Sequence, residues 1–433
     1  MNILRYIFLG ILVGSLIAAC SGGGDDDPTP VQASAPAGTS VATHTPTAES
    51  NDEASPTAEE EADGTAAAPQ GTPRPTATDV PRTTPTPEVD FSDTSFAFGW
   101  NVGLRGDEEN NEHNSQVAEY VNDSGTGWVR FQIPWSQMEP ANGQWDPLPF
   151  DRMVDSMNAA GLNILVVVAK APDWALSEED DTYLSSMAEF QQFMAFVADR
   201  YQGKVQAWEI WNEQNLAHEW GGHVNVDEYI RMLESASTAV RAADPEALVV
   251  FGGLTPNGLN DPNVAIDDFN YLNLAYLRSE GRLSEFFDVL GVHANSTHNS
   301  PDENFPGPLT SGNEGWNDHP SFFFRRTEQL RQVMLDQGDG DKPVWITEFG
   351  WTTENQAPGY EYGANNTEEE VAQYLTRALE IAVDEWSWCT GAFIWNLNWS
   401  TLVDQADEKS PWSALNSDWS PRPQYEAVQD FLN

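Results

Sequence analysis

The sequence is poor in cysteine, in histidine and above all in positive charge. Only two cysteines, Cys20 and Cys389, occur in 433 residues. An exported fold without a disulfide framework must be stable through its core. Twenty Lys and Arg stand against 68 Asp and Glu, for a formal net charge of −48 at pH 7. That excess repels polyanions and argues against a nucleic-acid partner. It fits a salt-rich habitat, where an acidic surface stays hydrated. The seven histidines are scattered and form no metal-ligand spacing, so neither metal nor cofactor is expected. A Gly-rich phosphate loop is missing too: "WNVGLRGDEE" follows the first strand-like run without one, which speaks against a doubly wound nucleotide-binding sheet.

Long apolar runs are also scarce. The first twenty residues, "MNILRYIFLGILVGSLIAAC", carry one positive charge, Arg5, then an apolar stretch and small residues before Cys20. The stretch is short for a membrane span and has the pattern of a secretory signal. Its ending, "IAAC", resembles the lipobox of bacterial lipoproteins. The resemblance implies that residues 1–19 are a signal peptide removed before Cys20, and that Cys20 is lipidated. The protein would then be exported and held at the cell membrane by that anchor. Residues 20–90 lack aromatics and are rich in Pro, Thr and Ala, as in "GTPRPTATDVPRTTPTPE". Such a segment has nothing to bury against the entropy of ordering it and reads as a tether. All 17 tryptophans fall in residues 91–433, which read as one folded domain, expected to be monomeric. Cys389, before an apolar strand and without a flanking His, reads as a small buried hydrophobe.

Within 91–433, strand-length apolar runs alternate with amphipathic stretches. Eight strands are expected: "FAFGWNV", "GWVRFQIPW", "LNILVVVAKAP", "VQAWEIWNE", "EALVVFGGL", "FDVLGVHAN", "KPVWITEFGW" and "GAFIWNLNW". Runs such as "ILVVVA" suit parallel strands buried on both faces. Eight βα units of this kind point to an α/β fold, a (β/α)8 barrel. In such barrels the site lies at the C-terminal ends of the strands. Arg130 stands on strand 2, Lys170 ends strand 3, Asn212 and Glu213 end strand 4, His293 and Asn295 end strand 6, Glu348 ends strand 7, and Trp395 ends strand 8. Two carboxylates facing each other beside tryptophans suit glycosidic bond cleavage, one as acid and one as nucleophile. Their environments must push the two pKa values apart. Glu209, inside its strand, reads as a buried hydrogen-bonding group. Trp135, Trp174, Trp351 and Trp399 are weaker candidates than Trp395 for stacking on a sugar face.

These motifs resemble clan A retaining glycoside hydrolases. "WEIWNEQNL" is similar to the clan's Asn-Glu signature, most closely the form typical of family 39, with relatives in family 5. "VWITEFGW" resembles the nucleophile strand, and "PWSQMEPANGQWD" the segment after strand 2. The resemblance implies Glu213 as acid/base and Glu348 as nucleophile. It implies substrate contacts from Asn212 to a sugar 2-hydroxyl, from Arg130 beside Glu348, from His293, and from Trp395 under the sugar. Double displacement on β-linked oligo- or polysaccharides of the xylosidase, xylanase or glucanase type follows from it. A non-catalytic carbohydrate-binding lipoprotein on a barrel scaffold is the alternative. Two positions depart from the pattern. Gln214 replaces the usual Pro, and Asn295 stands nearest to where relatives carry a Tyr.

Overall fold

A computed structural model of the protein describes residues 95–433, apart from 108, 110, 179–181 and 307–315. The signal peptide, Cys20 and the linker, as read from the sequence, lie outside the described residues. The strands are β1 (Ala97–Asn101), β2 (Gly127–Pro134), β3 (Asn163–Ala169), β4 (Ala207–Ile210), β5 (Leu248–Leu254), β6 (Val289–His293), β7 (Val344–Phe349) and β8 (Cys389–Ile394). All eight pair in parallel with their sequence neighbours, and β8 pairs β1 to close the barrel. The main helices are α1 (Asn111–Asp123), α2 (Leu148–Ala159), α3 (Met187–Arg200), α4 (Val226–Ala243), α5 (Asp268–Arg278), α6 (Arg326–Asp336), α7 (Glu368–Glu380) and α8 (Pro423–Leu432). One follows each strand, which is the (β/α)8 architecture.

Local chemistry explains where helices begin and end. Thr367 and Glu370 form a reciprocal capping box at the start of α7, and Glu368 to Glu370 complement the positive end of its dipole. At the end of α2, Gly161 adopts φ +78°. Its N–H reaches Asn158 O, and the next N–H reaches Met157 O, the Schellman arrangement that stops a helix.

The strands bury both faces. On β3, Ile164, Val166 and Val168 pack outward into the main core under the helices, while Leu165 points into the barrel. With Ala97, Ala207, Val250, Val289, Trp345 and Phe393 it fills the lower interior. Above that apolar layer the inward positions turn polar: Arg130, Glu209 and Thr347, all buried. The apolar floor and the charged layer above it hold the site at the strands' C-terminal ends.

Candidate active site

Arg130 organises the site. Its Nε and Nη2 grip the Glu209 carboxylate at 2.7 and 3.3 Å. Nη1 donates to Asn101 Oδ1 and Glu348 Oε1, both at 2.6 Å. Nη2 also donates to Asn212 Oδ1 at 3.0 Å and reaches His293 Nε2 at 3.5 Å. Only a planar guanidinium serves so many acceptors in one fixed fork. Burial works against its charge, but Glu209 and Glu348 outweigh burial and hold Arg130 protonated. Glu209 is fully buried and also accepts from the Gly253 N–H and Thr347 Oγ1. It is therefore the hydrogen-bonding strand residue read from the sequence.

Two local departures from regular strand geometry aim the acids. In β7 the pairing with β6 slips between Val292↔Ile346 and His293↔Glu348. The extra residue, Thr347, lets both Thr347 and Glu348 face the barrel interior, as a bulge does. After β4, Trp211 and Glu213 adopt φ +69° and +50°. Trp211 turns into the outer core, with its Nε1 on Glu219 O. Asn212 and Glu213 both turn inward. Non-glycine residues at positive φ cost free energy, and here neighbours hold them. Glu213 N–H donates to Gly253 O at 3.0 Å, and Gln214 Nε2 donates to Gly252 O at 2.8 Å. Gln214 thus ties the β4 loop to β5 through its side chain, which the usual Pro would not do. Gly252 and Gly253 permit this approach. A Cβ on Gly253 would lie 2.3 Å from His293 Nε2.

Glu213 and Glu348 are both fully buried. His293 Nδ1 lies 3.0 Å from Glu213 Oε1, and its Nε2 lies 3.7 Å from Glu348 Oε1. One carboxylate oxygen from each acid and one His293 ring nitrogen fall within 4.8 Å of one another. Since Arg130 donates to Nε2, the His293 proton sits on Nδ1 and is donated to Glu213. Burial, then the Arg130 charge, pushes the His293 pKa well below its usual range, so the ring is neutral. Burial, then the charges of Glu348 and Glu219, pushes Glu213 well up. Burial also raises Glu348, but Arg130 opposes the rise by charge and hydrogen bond. The environments therefore separate the two acids in the order acid chemistry needs: Glu213 holds a proton more tightly than Glu348.

Among the described residues, several polar atoms of the site are buried without a hydrogen-bond partner: Glu213 Oε2, Glu348 Oε2, Asn212 Nδ2 and Trp395 Nε1. Such atoms are costly unless a ligand satisfies them. Asn295 sits beside Glu348, where its amide favours the carboxylate. Trp395 begins a cis peptide bond to Asn396 and packs edge-on to Trp399 at 5.9 Å. It joins an aromatic cluster with Trp316, Phe322, Tyr360, Tyr362 and Trp412. The sequence-predicted set Arg130, Asn212, Glu213, His293, Glu348 and Trp395 thus meets at one end of the barrel. Trp135 and Trp351 do not join it. Both are buried in the main core, Trp135 against Phe193 and Trp351 against Phe324, because their loops fold back under the helices. Trp174 packs edge-on to Trp135. Cys389 is a buried free thiol pushed up to about 12 by burial. Asn101, Gly253 and Glu219, the ion-pair partner of Lys170, escaped the sequence reading. Of these, only Asn101, a polar residue closing the β1 run, left a visible signal.

Residues 94–392 match Cellulase (glycosyl hydrolase family 5). Solved structures share the fold at low identity. A family 39 glycoside hydrolase from the gut symbiont Bacteroides cellulosilyticus WH2 is 18% identical with a TM-score of 0.58, over 80% of this chain and 65% of that one. The chain therefore spans just under two thirds of that protein. A glucosidase from Croceicoccus marinus is 15% identical with a TM-score of 0.55, over 78% of this chain and 67% of that one. Xylanase 10B from Thermotoga maritima is 12% identical with a TM-score of 0.51, over 78% of this chain and 95% of that one.

Proposed function

The chain belongs to glycosyl hydrolase family 5 and is a glycoside hydrolase; from that premise we propose that it cleaves β-linked oligo- or polysaccharides of the xylan or glucan type by double displacement with retention. The observation that carries the reading is the closeness of the two acids, with oxygens and the His293 nitrogen inside 4.8 Å. Inverting enzymes leave roughly 6.5–9.5 Å between carboxyls for a water, and retaining ones about 5–5.5 Å.

Glu213 carries the first proton. Its Oε1 accepts from His293, so the proton sits on the unpartnered Oε2 and passes to the leaving oxygen. As that C–O bond breaks, Glu348 Oε2 forms a bond to the anomeric carbon, its other oxygen held by Arg130. Asn212, its Oδ1 fixed by Arg130, presents its free amide N–H to the 2-hydroxyl. Glu213, now ionised, takes a proton from water. The water oxygen attacks the anomeric carbon and releases Glu348. Proton NMR of the reaction should show the β-anomer of the product first. Glu348→Gln should lower kcat by on the order of 10⁴ or more while keeping sugar binding. An α-anomer first, or an active Glu348→Gln, sinks the mechanism.

The lipobox-like "IAAC" supports export and anchoring through lipidated Cys20. Cells expressing the full chain should incorporate labelled palmitate into it and hold it in the membrane fraction. Cys20→Ser should lose both; label retained by the variant refutes the anchor.

A further inference from the structure

The positive φ of Trp211 and Glu213 persists only because the surroundings over-determine it. The turn they form is tied to β5. Glu213 N–H donates to Gly253 O at 3.0 Å, and Gln214 Nε2 donates to Gly252 O at 2.8 Å. Gly253 also packs against His293, so closely that a Cβ there would lie 2.3 Å from its Nε2. The Gly252–Gly253 stretch is therefore the seat of both partners of the Glu213–His293 hydrogen bond. Regular strand pairing does not run through it. The β4–β5 register ends at Ile210↔Phe251, and the β5–β6 register slips between Phe251 and Leu254. On the inner side Glu209 Oε1 accepts from the Gly253 N–H at 2.9 Å.

On the outer side a phenol from α4 does the holding. The Tyr229 hydroxyl donates to Ile210 O at 3.0 Å and accepts from the Gly252 N–H at 2.8 Å. A hydroxyl carries both a donor and acceptor lone pairs, so one atom serves the last carbonyl of β4 and the amide beside it. Its place is fixed. Tyr229 is fully buried, edge-on to Phe251 at 5.0 Å and to Trp220 at 5.8 Å. Trp220 in turn packs edge-on to Trp211 at 5.4 Å. The ring lies in the core under the helices, so the hydroxyl acts on the site only through backbone.

We infer that Tyr229 is a positioning residue for the acid/base: its hydroxyl clamps Gly252 to the end of β4, and Gly252–Gly253 then seats Glu213 against His293. This rests on the glycosidase reading, in which Glu213 carries the proton. Without the hydroxyl, Ile210 O and the Gly252 N–H lose a shared partner in a buried layer. The glycine stretch shifts and the Glu213–His293 bond lengthens.

The test is Tyr229→Phe, which keeps the ring and removes one oxygen. The control is Tyr271→Phe. Tyr271 is equally buried, lies 6.1 Å from Tyr229, and its hydroxyl has no hydrogen-bond partner among the described residues. In protein labelled with nitrogen-15 only at its seven histidines, the Nδ1–H of His293, assigned with a His293→Gln variant, reports the bond to Glu213. Tyr229→Phe should move that resonance upfield. It should also lower kcat on aryl β-glycosides of glucose, xylose and mannose by about 10- to 100-fold, with KM within about twofold, as a displacement of up to about 1 Å does. Tyr271→Phe should change neither. An unmoved resonance or a wild-type kcat in folded Tyr229→Phe overturns the inference, as does an equal effect of Tyr271→Phe. Should Tyr229→Phe not fold, Gln214→Ala cuts the next link from Gly252 to the acid's loop, and an unmoved resonance there overturns the path. The resonance is read without substrate. A wild type that hydrolyses no aryl β-glycoside therefore removes the glycosidase reading, while the clamp on Glu213 stands or falls by the resonance alone.

Discussion

Arg130 ties five side chains together, and most of the site's electrostatics follow from where its guanidinium lies. It pairs with Glu209, restrains the rise of Glu348, adds to the burial that keeps His293 neutral and sets the flip of Asn212. Arg130→Lys keeps a charge but loses the fork. Leaving one of two buried carboxylates short of its partner should cost roughly 3–5 kcal/mol of stability, read as a lower unfolding midpoint. Activity should fall, and its acid limb should move to higher pH, because an ammonium held at Glu209 no longer gives Glu348 the hydrogen bond that opposes its protonation. The sign follows from the mechanism. In the proposed mechanism turnover needs Glu348 ionised and Glu213 protonated, so activity should rise with pH as Glu348 loses its proton and fall as Glu213 loses its own. Because the Glu348 charge raises Glu213, Glu348→Gln should lower the Glu213 pKa. A carbon-13 titration of labelled glutamate side chains measures it, and an unmoved Glu213 contradicts the coupling. The sequence showed Arg130, Glu213 and Glu348 as polar residues on strands. It did not show that Asn101 shares the guanidinium, because that contact joins β1 to β2 and β7 across the barrel.

At the scale of elements, short irregularities carry the function. Strict alternation along β7 would put Glu348 on the same side as Ile346, in the outer core. The slip against β6 reverses that. Pattern reading alone does not reveal a bulge, since the extra residue matters only relative to a partner strand. The same holds for "FGGL" on β5, where Gly252 and Gly253 admit the β4 loop and His293. Gly253→Ala should push His293 away from Glu213. A displacement near 1 Å at such a site costs about 10²-fold in rate, so kcat/KM should fall by that order while the fold melts cooperatively. Wild-type kcat/KM in a folded Gly253→Ala protein would show that His293 placement is not critical. Tryptophans illustrate the opposite limit. Trp135 and Trp351 follow strands as Trp395 does, and only the path of each loop decides which side chain faces the core.

For the whole molecule, the formal charge of −48 sits outside a site whose own charges are buried and paired. Self-repulsion among surface carboxylates weakens the folded state at low salt and is screened at high salt, where the Debye length shrinks to about 3 Å at 1 M. The buried Arg130 network is screened far less. Unfolding midpoints should therefore rise from 10 mM to 1 M NaCl, and kcat/KM should persist at molar salt. Rapid inactivation there refutes the salt-habitat reading.

By itself the sequence determined the class of fold and the candidate acids of its proposed chemistry. Alternating apolar strands and amphipathic helices leave few arrangements besides a closed parallel barrel. Polar residues at the strand ends then mark the rim, and "WEIWNEQNL" and "VWITEFGW" mark the two acids on it. Only the tertiary structure decided which acid keeps the proton. That depends on Arg130 reaching Glu348 and not Glu213, a matter of distances between strands remote in sequence. It also gathered Trp395 with Trp316, Tyr360, Tyr362 and Trp412 from three separate loops into one buried cluster, because loop paths follow from packing against the whole barrel and not from local pattern.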